Sequence, residues 1–486
     1  MNTKLFSLVI LALSLAVFAG AQEPELINYG AIANYDEMSI PRYEIPDVLQ
    51  AADGSRIKGV KEWEARRPEV VDMLQKEMFG YMPTHPKDLH FKVENEDGAV
   101  FGGKASRKEV KVFLSADESV YFTMLMYVPN GVKGPVPAFL GLNFQGNHTI
   151  CEDQGVSVYD TVKVASTRFE GIKERGIASS RWPVEMIMDS GYALATIFYE
   201  DMACDIQGAP FDGILPMGYG LGPGKEPNTD FGKVREESHP SGSEWGSICA
   251  WAWGLSCAMD YLVTDPALDP GRIVVLGHSR LGKTALWAAA MDKRFAMAVS
   301  SCSGCGGAAL SRRNIGETLP AVRQNFPQWF TPEFDKYADD VAALPFDQHF
   351  LISLIAPRPV YITSATEDIW ADPHGEFLSG KLASPVYALY GEKGLVTDLS
   401  ITEPAPSGYV RSSGYKITNE WNGGTTCGPA RDKGNVISDA VLFKGYPKAD
   451  TPLQDGFIAY HVRTGEHDIT SWDWQQILIF ADKRLK

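Results

Sequence analysis

The segment GRIVVLGHSRLGKTALWAAA (271–290) constrains the fold more than any other part of the chain. An apolar, β-branched run ends at Gly277-His278-Ser279, and a helix-forming stretch follows at once. A buried strand that turns sharply into a helix holds a serine at the end of the strand, where the helix N-terminus adds positive partial charge. The pattern therefore predicts that Ser279 is a nucleophile. The alternative is a serine that only caps the helix.

Other apolar runs predict the remaining strands. They lie at 111–117, 120–128, 137–144, 192–200, 273–279, 296–302, 359–365 and 456–462. The later runs are continuously apolar, which is typical of parallel strands that are buried on both faces. Helical stretches at 247–263 and 283–295 lie between strands. This alternation indicates an α/β fold, a three-layer α/β/α sandwich with a mostly parallel central sheet.

The chain divides into a leader, a lead-in and a main domain. Residues 1–21 combine a lysine, a short apolar run and an Ala-Gly-Ala site, the pattern of a signal peptide that is cut before Gln22. We therefore expect an exported protein, periplasmic or secreted, that does not contact the membrane after cleavage. Residues 22–105 form a lead-in packed on the main domain, 106–486. Within that domain, the Gly-, Pro-, Ser- and Thr-rich stretch 403–455 is either an insertion folded over the site or a surface excursion.

Composition narrows the classes of partner. With 61 acidic and 45 basic residues the net charge is -16, which argues against nucleic acid as a partner. The seven cysteines do not have the spacing of a zinc site, and no His/Asp cluster does, so we expect neither a metal nor another cofactor. Cys302 and Cys305 form a C-x-x-C pair that is more typical of small buried side chains than of a redox site. Export permits a disulfide or two, and the sequence leaves their pairing open.

A serine nucleophile needs a base, and the base needs an acid that orients it. In folds of this kind the chain order is Ser, acid, His. His467 follows the last apolar run and precedes a helix with the capping-box pair Thr470 and Asp473, so we predict that it is the base. His461 lies within the run itself and is more typical of a packed or supporting histidine. The acid should lie on the loop after 359–365, which carries three carboxylates: Glu367, Asp368 and Asp372.

The stretch Gly277-His278-Ser279-Arg280-Leu281-Gly282-Lys283 resembles the G-C-S-R-x-G-K signature of glucuronoyl esterases, carbohydrate esterase family 15. Stretches similar to the bacterial members are LNFQGNHT (142–149), SGCGGAALSRR (303–313), GET (316–318), FPQWF (326–330), EDIWADPHGEFL (367–378) and GEHDITSWDW (465–474). The resemblance implies an α/β-hydrolase fold and a serine esterase. Its substrate would be the ester between a 4-O-methylglucuronate side chain of xylan and a lignin alcohol, a glucuronoxylan or lignin-carbohydrate ester. We expect the enzyme to act as a monomer.

The resemblance also implies roles for individual residues. Ser279 would be the nucleophile, His467 the general base, and Arg280 would contribute its backbone N–H and its guanidinium to the oxyanion hole. A further set would contact the glucuronate through its hydroxyls or its ring: Lys283, Glu317, Trp370 and an amide near Asn325.

The sequence departs from the family pattern at the site itself. His278 stands where fungal members have a disulfide-bonded cysteine, and Cys302-Ser303-Gly304 stands where many members have a catalytic Glu-Ser-Gly. A thiol does not orient an imidazolium as a carboxylate does. We therefore predict Asp368 as the acid, with Glu367 and Asp372 as alternatives. Other hypotheses are a different exported hydrolase, such as an acetyl-xylan esterase or a peptidase, and a non-catalytic carbohydrate-binding homologue.

Overall fold

The computed structural model describes eleven stretches of the chain: residues 27–28, 33–35, 40, 43–158, 172–205, 210–211, 213–220, 226–230, 244–399, 420–421 and 446–486. The strands are β1 (Ile27–Asn28), β2 (His90–Val100), β3 (Ala105–Phe113), β4 (Tyr121–Pro129), β5 (Val136–Asn143), β6 (Ala193–Phe198), β7 (Pro210–Phe211), β8 (Glu226–Asp230), β9 (Leu268–His278), β10 (Met297–Ser301), β11 (Val360–Ala365), β12 (Glu420–Trp421) and β13 (Ile458–Arg463). The predicted signal peptide and most of 403–455 lie outside these residues.

Helices alternate with the strands, as predicted. They are α1 (Val60–Leu74), α2 (Val184–Asp189), α3 (Ser247–Leu262), α4 (Arg280–Met291), α5 (Leu319–Asn325), α6 (Pro332–Asp335), α7 (Gln348–Ser353), α8 (Pro373–Leu389) and α9 (Ser471–Leu485). Single turns of 3-10 or π helix cover Gln75–Phe79, Phe101–Gly103, Asn147–Thr149, Tyr199–Asp201, Leu215–Tyr219, Ser311–Arg313, Lys336–Ala338, Val341–Ala343 and Ile369–Ala371.

Nine strands form the central sheet in the order β13-β11-β10-β9-β5-β6-β4-β3-β2. The six strands from β13 to β6 run parallel, and β4, β3 and β2 add an antiparallel edge. The predicted mostly parallel sheet is therefore confirmed. Because β9, β10, β11 and β13 are parallel neighbours, their carboxyl ends meet at one edge, where ligands bind in open α/β sheets.

Both faces of the sheet are covered, which is why the later strands are apolar without alternation. In β9, Ile273 and Val275 pack on the layer of α1, α3, α4 and α8, whereas Val274 and Leu276 pack on the layer of α2 and α9. Each strand therefore supplies apolar side chains to two cores. This arrangement is the three-layer sandwich of the α/β-hydrolase class.

The lead-in contributes to the main core and to the sheet. Trp63, Val70 and Leu74 of α1 are fully buried in the larger core, so this helix packs on the main domain. Strand β2 also lies in the lead-in and pairs antiparallel with β3. The sequence analysis missed this strand because its side chains are largely polar and exposed.

The end of the 403–455 stretch is described and is anchored beside β13. Tyr446 is buried against His374 and Phe377 of α8. Asp450 accepts hydrogen bonds from the backbone N–H and the hydroxyl of Thr464, at 2.8 and 2.7 Å. The stretch therefore returns to the sheet directly beside the loop that carries His467.

Two further observations concern the described part of the chain. None of its helices is both long enough and apolar enough to cross a membrane. Five of its cysteines have a free thiol: Cys151, Cys249, Cys257, Cys302 and Cys305. The pair Cys302 and Cys305 is buried, as the interpretation of small packed side chains required.

Candidate active site

Ser279 lies at the sharp turn between β9 and α4. Its backbone has φ 58° and ψ -132°, a conformation that costs a non-glycine residue roughly 1–3 kcal/mol and persists only where the surroundings enforce it. Its N–H donates to the Ser301 carbonyl at 2.8 Å, and its own carbonyl accepts from the N–H of Gly282, also at 2.8 Å. Ser279 is half-buried, so its hydroxyl is held at the edge of the sheet beside the helix N-terminus.

Two glycines explain the altered spacing of the turn. A Cβ on Gly277 would lie 1.8 Å from the Leu281 carbonyl oxygen, so only glycine fits there. Leu281 replaces the final glycine of the usual motif and is buried in the core. Gly282 is instead the glycine at which the helix packs closely against a neighbouring turn, because a Cβ on it would lie 3.0 Å from Cβ of Ser303.

His467 and Asp368 meet at the same edge. His467 follows β13, Asp368 follows β11, and Nδ1 of His467 lies 2.6 Å from Oδ2 of Asp368. The other carboxylate oxygen accepts from the Ala371 N–H at 3.2 Å, which fixes the carboxylate on its own loop. The side chains are 6% and 0% exposed, so the pair is shielded from water. This geometry suits an acid that orients a base.

The two alternative acids have other surroundings. Asp372 begins α8, where its carboxylate accepts from the Gly375 N–H at 3.0 Å and pairs with Nε of Arg313 at 2.8 Å. Glu367 is half-buried, and its backbone N–H donates to the Gly465 carbonyl at 2.8 Å. Of the three carboxylates, the structure brings Asp368 to His467.

His461 is a packed histidine, as predicted. Its Nδ1 lies 2.8 Å from the Tyr361 hydroxyl and its Nε2 lies 2.8 Å from Asp473. Asp473 also forms the predicted capping box with Thr470 at the start of α9. These contacts fix the end of β13 and hence the loop that carries His467.

One cavity collects the residues that the sequence analysis singled out. Of the predicted site residues it is lined by Ser279, Arg280, Lys283, Glu317, Trp370 and His467. The Cys302-Ser303-Gly304 turn and the ring pair Phe326 and Trp329, stacked at 3.9 Å between centroids, complete the wall. The side-chain amide of Asn325 donates to the Ala321 carbonyl within α5, and Asn325 does not line the cavity.

The positive groups in this cavity each have a carboxylate partner. Nζ of Lys283 forms a buried ion pair with Glu317 and also donates to the Cys305 carbonyl. The backbone N–H of Glu317 donates to the carbonyl of Trp370 at 2.8 Å, so these two predicted sugar contacts are held together. Lys283 and Glu317 therefore present a compact polar patch rather than an isolated positive charge.

Asp205 is a site residue that the sequence analysis missed. Its buried carboxylate pairs with the Arg280 guanidinium, and it accepts from Nε1 of Trp329 at 2.6 Å, Nε2 of Gln328 at 3.1 Å and the Tyr199 hydroxyl at 3.2 Å. The guanidinium also lies over the Trp329 ring, 5.0 Å from its centroid. Asp205 thereby fixes the side chain of Arg280, which directly follows Ser279. Its one sequence signal is its place shortly after the predicted strand at 192–200.

A second missed group is Glu376, on α8. One of its oxygens accepts from the N–H of Ser303 at 2.7 Å, the hydroxyl of Ser303 at 3.0 Å and the N–H of Gly304 at 3.1 Å. The other accepts from the Ser364 hydroxyl at 2.6 Å. Burial raises the pKa of Glu376 to about 8. By accepting these hydrogen bonds, the carboxyl group of Glu376 stabilises a turn in which Cys302 has a positive φ of 47°.

The two residues that depart from the family pattern, His278 and Cys302, lie next to the imidazole of His467. The ring of His278 lies 4.5 Å from that of His467, and burial holds the pKa of His278 well below its usual value. Cys302 follows β10 and lines the cavity, and burial with the nearby Asp368 raises the pKa of its thiol well above the usual value. The neutral imidazole of His278 and the neutral thiol of Cys302 thus lie beside the His467–Asp368 pair.

Comparison with known proteins places this geometry in context. The family model for fungal glucuronyl esterases matches residues 237–391. Carbohydrate esterase MZ0003, from an unknown prokaryotic organism, is 39% identical over 460 residues that cover 93% of this chain and 92% of that protein.

Two solved structures are also similar. A promiscuous CE15 esterase from a marine bacterial metagenome has 37% identity and a TM-score of 0.74, over 93% of this chain and 100% of that one. A glucuronoyl esterase from Solibacter usitatus has 36% identity and a TM-score of 0.75 over the same shares.

The sheet, the strand-to-helix turn at Ser279 and the similar structures define an α/β-hydrolase that acts as a carboxylic ester hydrolase. The identity over nearly the whole length adds the family: the chain belongs to carbohydrate esterase family 15. The comparisons favour an esterase over a peptidase or a non-catalytic homologue.

Proposed function

We propose that the protein hydrolyses the ester between (4-O-methyl)glucuronate side chains of xylan and lignin alcohols, with Ser279, His467 and Asp368 as the catalytic triad. The observation that carries the proposal is the single cavity that holds the Ser279 turn, the His467 ring and the polar patch of Lys283 and Glu317. The Solibacter usitatus relative is a glucuronoyl esterase, which supports the same acyl group for this chain.

The reaction is a two-step acyl transfer. His467 accepts the proton of the Ser279 hydroxyl while the serine oxygen attacks the uronoyl carbonyl, and Asp368 stabilises the imidazolium. The Arg280 N–H at the start of α4 and the Arg280 guanidinium stabilise the oxyanion. The alcohol leaves with the proton from His467. Water, activated by the same imidazole, then hydrolyses the acyl-enzyme.

Recognition of the sugar rests on neutral or paired groups. Lys283 donates to, and Glu317 accepts from, the hydroxyls of the glucuronate, and Trp370 packs against its ring. Because the ester is uncharged, a cavity whose cations are already paired suits it better than one with an unbalanced positive charge. The alcohol faces the open side of the cavity.

The substrate class is tested by comparing turnover of different substrates in parallel assays. The purified protein and its Ser279→Ala variant are assayed with methyl and benzyl glucuronate, an acetylated sugar and a peptide amide. We expect turnover of the two uronate esters by the wild-type protein only. Cleavage of the acetylated sugar or the amide without cleavage of either uronate ester would contradict the proposal.

We also propose that the protein is exported after removal of residues 1–21 and acts as a monomer without a cofactor. The basic, apolar and Ala-Gly-Ala segments of the leader support the export. N-terminal sequencing of the exported protein should give Gln22 as the first residue. Size-exclusion chromatography with light scattering should give the mass of one chain. An uncut leader would contradict the proposed export, and a larger mass would contradict the proposed monomer.

A further inference from the structure

Three metal-ligating groups meet beside the cavity. The thiol of Cys302, a carboxylate oxygen of Asp368 and a ring nitrogen of His467 lie within 4.8 Å of one another. All three residues are buried, and Cys302 and His467 also line the cavity. The cluster is therefore reached from the same opening as Ser279.

We propose that Cys302, Asp368 and His467 form an inhibitory site for Zn²⁺. Sulfur, carboxylate oxygen and imidazole nitrogen are the donors that zinc takes in proteins. Zinc–ligand distances of about 2.0–2.3 Å place tetrahedral donors roughly 3.3–3.8 Å apart, so the three side chains need only small shifts. The fourth position faces the cavity and takes a water molecule or an anion.

Charge and neighbouring donors favour an ion at this place. A thiolate and a carboxylate together balance the charge of Zn²⁺. The ring of His278 lies 4.5 Å from that of His467, and its buried Nε2 has no hydrogen-bond partner among the described residues, so another imidazole lies next to the cluster. Since thiolate is a soft ligand and imidazole a nitrogen donor, Mg²⁺ and Ca²⁺, which prefer oxygen, should not compete.

Zinc at this site removes the base from catalysis. Nδ1 of His467 lies against Asp368, so the ion takes the place of the proton between them. The neutral imidazole keeps its one ring proton, which moves from Nδ1 to Nε2, whereas the thiol proton of Cys302 is released to solvent as its bond to sulfur is replaced by a sulfur–zinc bond. The bound imidazole no longer has its orienting carboxylate and cannot accept the proton of Ser279. This inhibition rests on the proposed triad, whereas zinc binding does not.

The test measures activity and binding separately on the full chain with any purification tag removed. Chelator-treated protein is titrated with Zn²⁺, Mg²⁺ and Ca²⁺ while benzyl glucuronate turnover is followed, and bound zinc is counted by equilibrium dialysis. We expect one zinc per chain, inhibition by zinc alone, and full recovery with EDTA. Cys302→Ala and Cys302→Ser should each raise the half-inhibitory zinc concentration at least about tenfold, as expected for loss of a ligand.

Cys151→Ser is the matched control, because Cys151 is a buried free cysteine that does not line the catalytic cavity. It should keep the zinc sensitivity of the wild type. Thermal unfolding identifies a Cys302 variant that fails to fold, and the other variant then decides.

Equal zinc sensitivity of the folded Cys302 variants and the wild type overturns the proposal, as does a wild type that binds no zinc or binds it with full turnover. A failure of the proposed triad has a different signature. In that case Asp368→Ala keeps its turnover without zinc.

Discussion

The two sides of the cavity handle charge in opposite ways. On the triad side, the His467–Asp368 pair adjoins a neutral thiol and a neutral imidazole, so a positive charge that forms on His467 is answered by Asp368. On the opposite side, here called the sugar side, Arg280 of the proposed oxyanion hole and Lys283 of the proposed sugar contacts already have carboxylate partners, Asp205 and Glu317. In the proposed mechanism, the triad side therefore changes its charge during turnover, whereas the sugar side keeps its charge fixed.

The largest expected effect is on the side that changes charge. His467→Ala should lower kcat on benzyl glucuronate by roughly 10⁶-fold, because the nucleophile then has no base. His85→Ala, at a partly exposed histidine paired with Asp260, serves as the control and should keep wild-type kinetics. A His467→Ala enzyme with more than about a hundredth of wild-type kcat would remove the imidazole from the mechanism.

A substitution of Asp205 tests whether the sugar side, whose charge stays fixed, also stabilises the transition state. Asp205→Asn should lower kcat by about a hundredfold with little change in KM, because the Arg280 guanidinium loses its anchor and its aim at the oxyanion. The measurement is a double-mutant cycle with Arg280→Ala. The effect of Asp205→Asn on kcat should disappear when Arg280 is absent. Additive effects in the cycle would mean that Asp205 only stabilises the fold.

Glu317 tests the sugar side at the level of binding. Glu317→Gln should raise KM about tenfold, equivalent to about 1.4 kcal/mol, and leave kcat within about threefold, because the lost hydrogen bonds to the sugar act equally in ground and transition states. Glu69→Gln, on the exposed face of α1, is the control. A fall in kcat with unchanged KM would place Glu317 on the triad side.

The smallest effect concerns Glu376, which lies between the two sides. Its pKa is raised by burial from its ordinary 4.5 to about 8, so the folded protein holds this proton more tightly than the unfolded chain. The associated stability is fully present below pH 4.5 and is lost as the pH rises to about 8. Thermal unfolding across this window should show a shallower decline for Glu376→Gln than for the wild type. Parallel declines would show that Glu376 does not carry this proton.

Much of this arrangement is predictable from local sequence. The apolar runs give the parallel strands because a strand buried on both faces needs apolar side chains at nearly every position. The sharp turn at Ser279 is predicted by a strand, a serine and a helix in direct succession. His467 and the loop of Asp368 follow from their places after late strands.

The parts that escape local sequence depend on polar or long-range contacts. Strand β2 escapes because its face is exposed and its residues are polar. Asp205 escapes because its partners Arg280 and Trp329 lie far away in the chain, and Glu376 because its partner turn is reached only through the packing of α8. No local pattern encodes such pairs, since tertiary packing alone brings them together.

We place the acid of the proposed triad after β11, because Cys302 occupies the other place from which a carboxylate would reach His467. The most direct measurement is kcat/KM on benzyl glucuronate for Asp368→Ala beside its neighbour Glu367→Ala, with thermal unfolding to establish that both are folded. We expect a loss of roughly 10⁴-fold for Asp368→Ala and near wild-type activity for Glu367→Ala. Wild-type activity in Asp368→Ala, with the loss appearing in Glu367→Ala instead, would contradict the assignment of Asp368 as the acid.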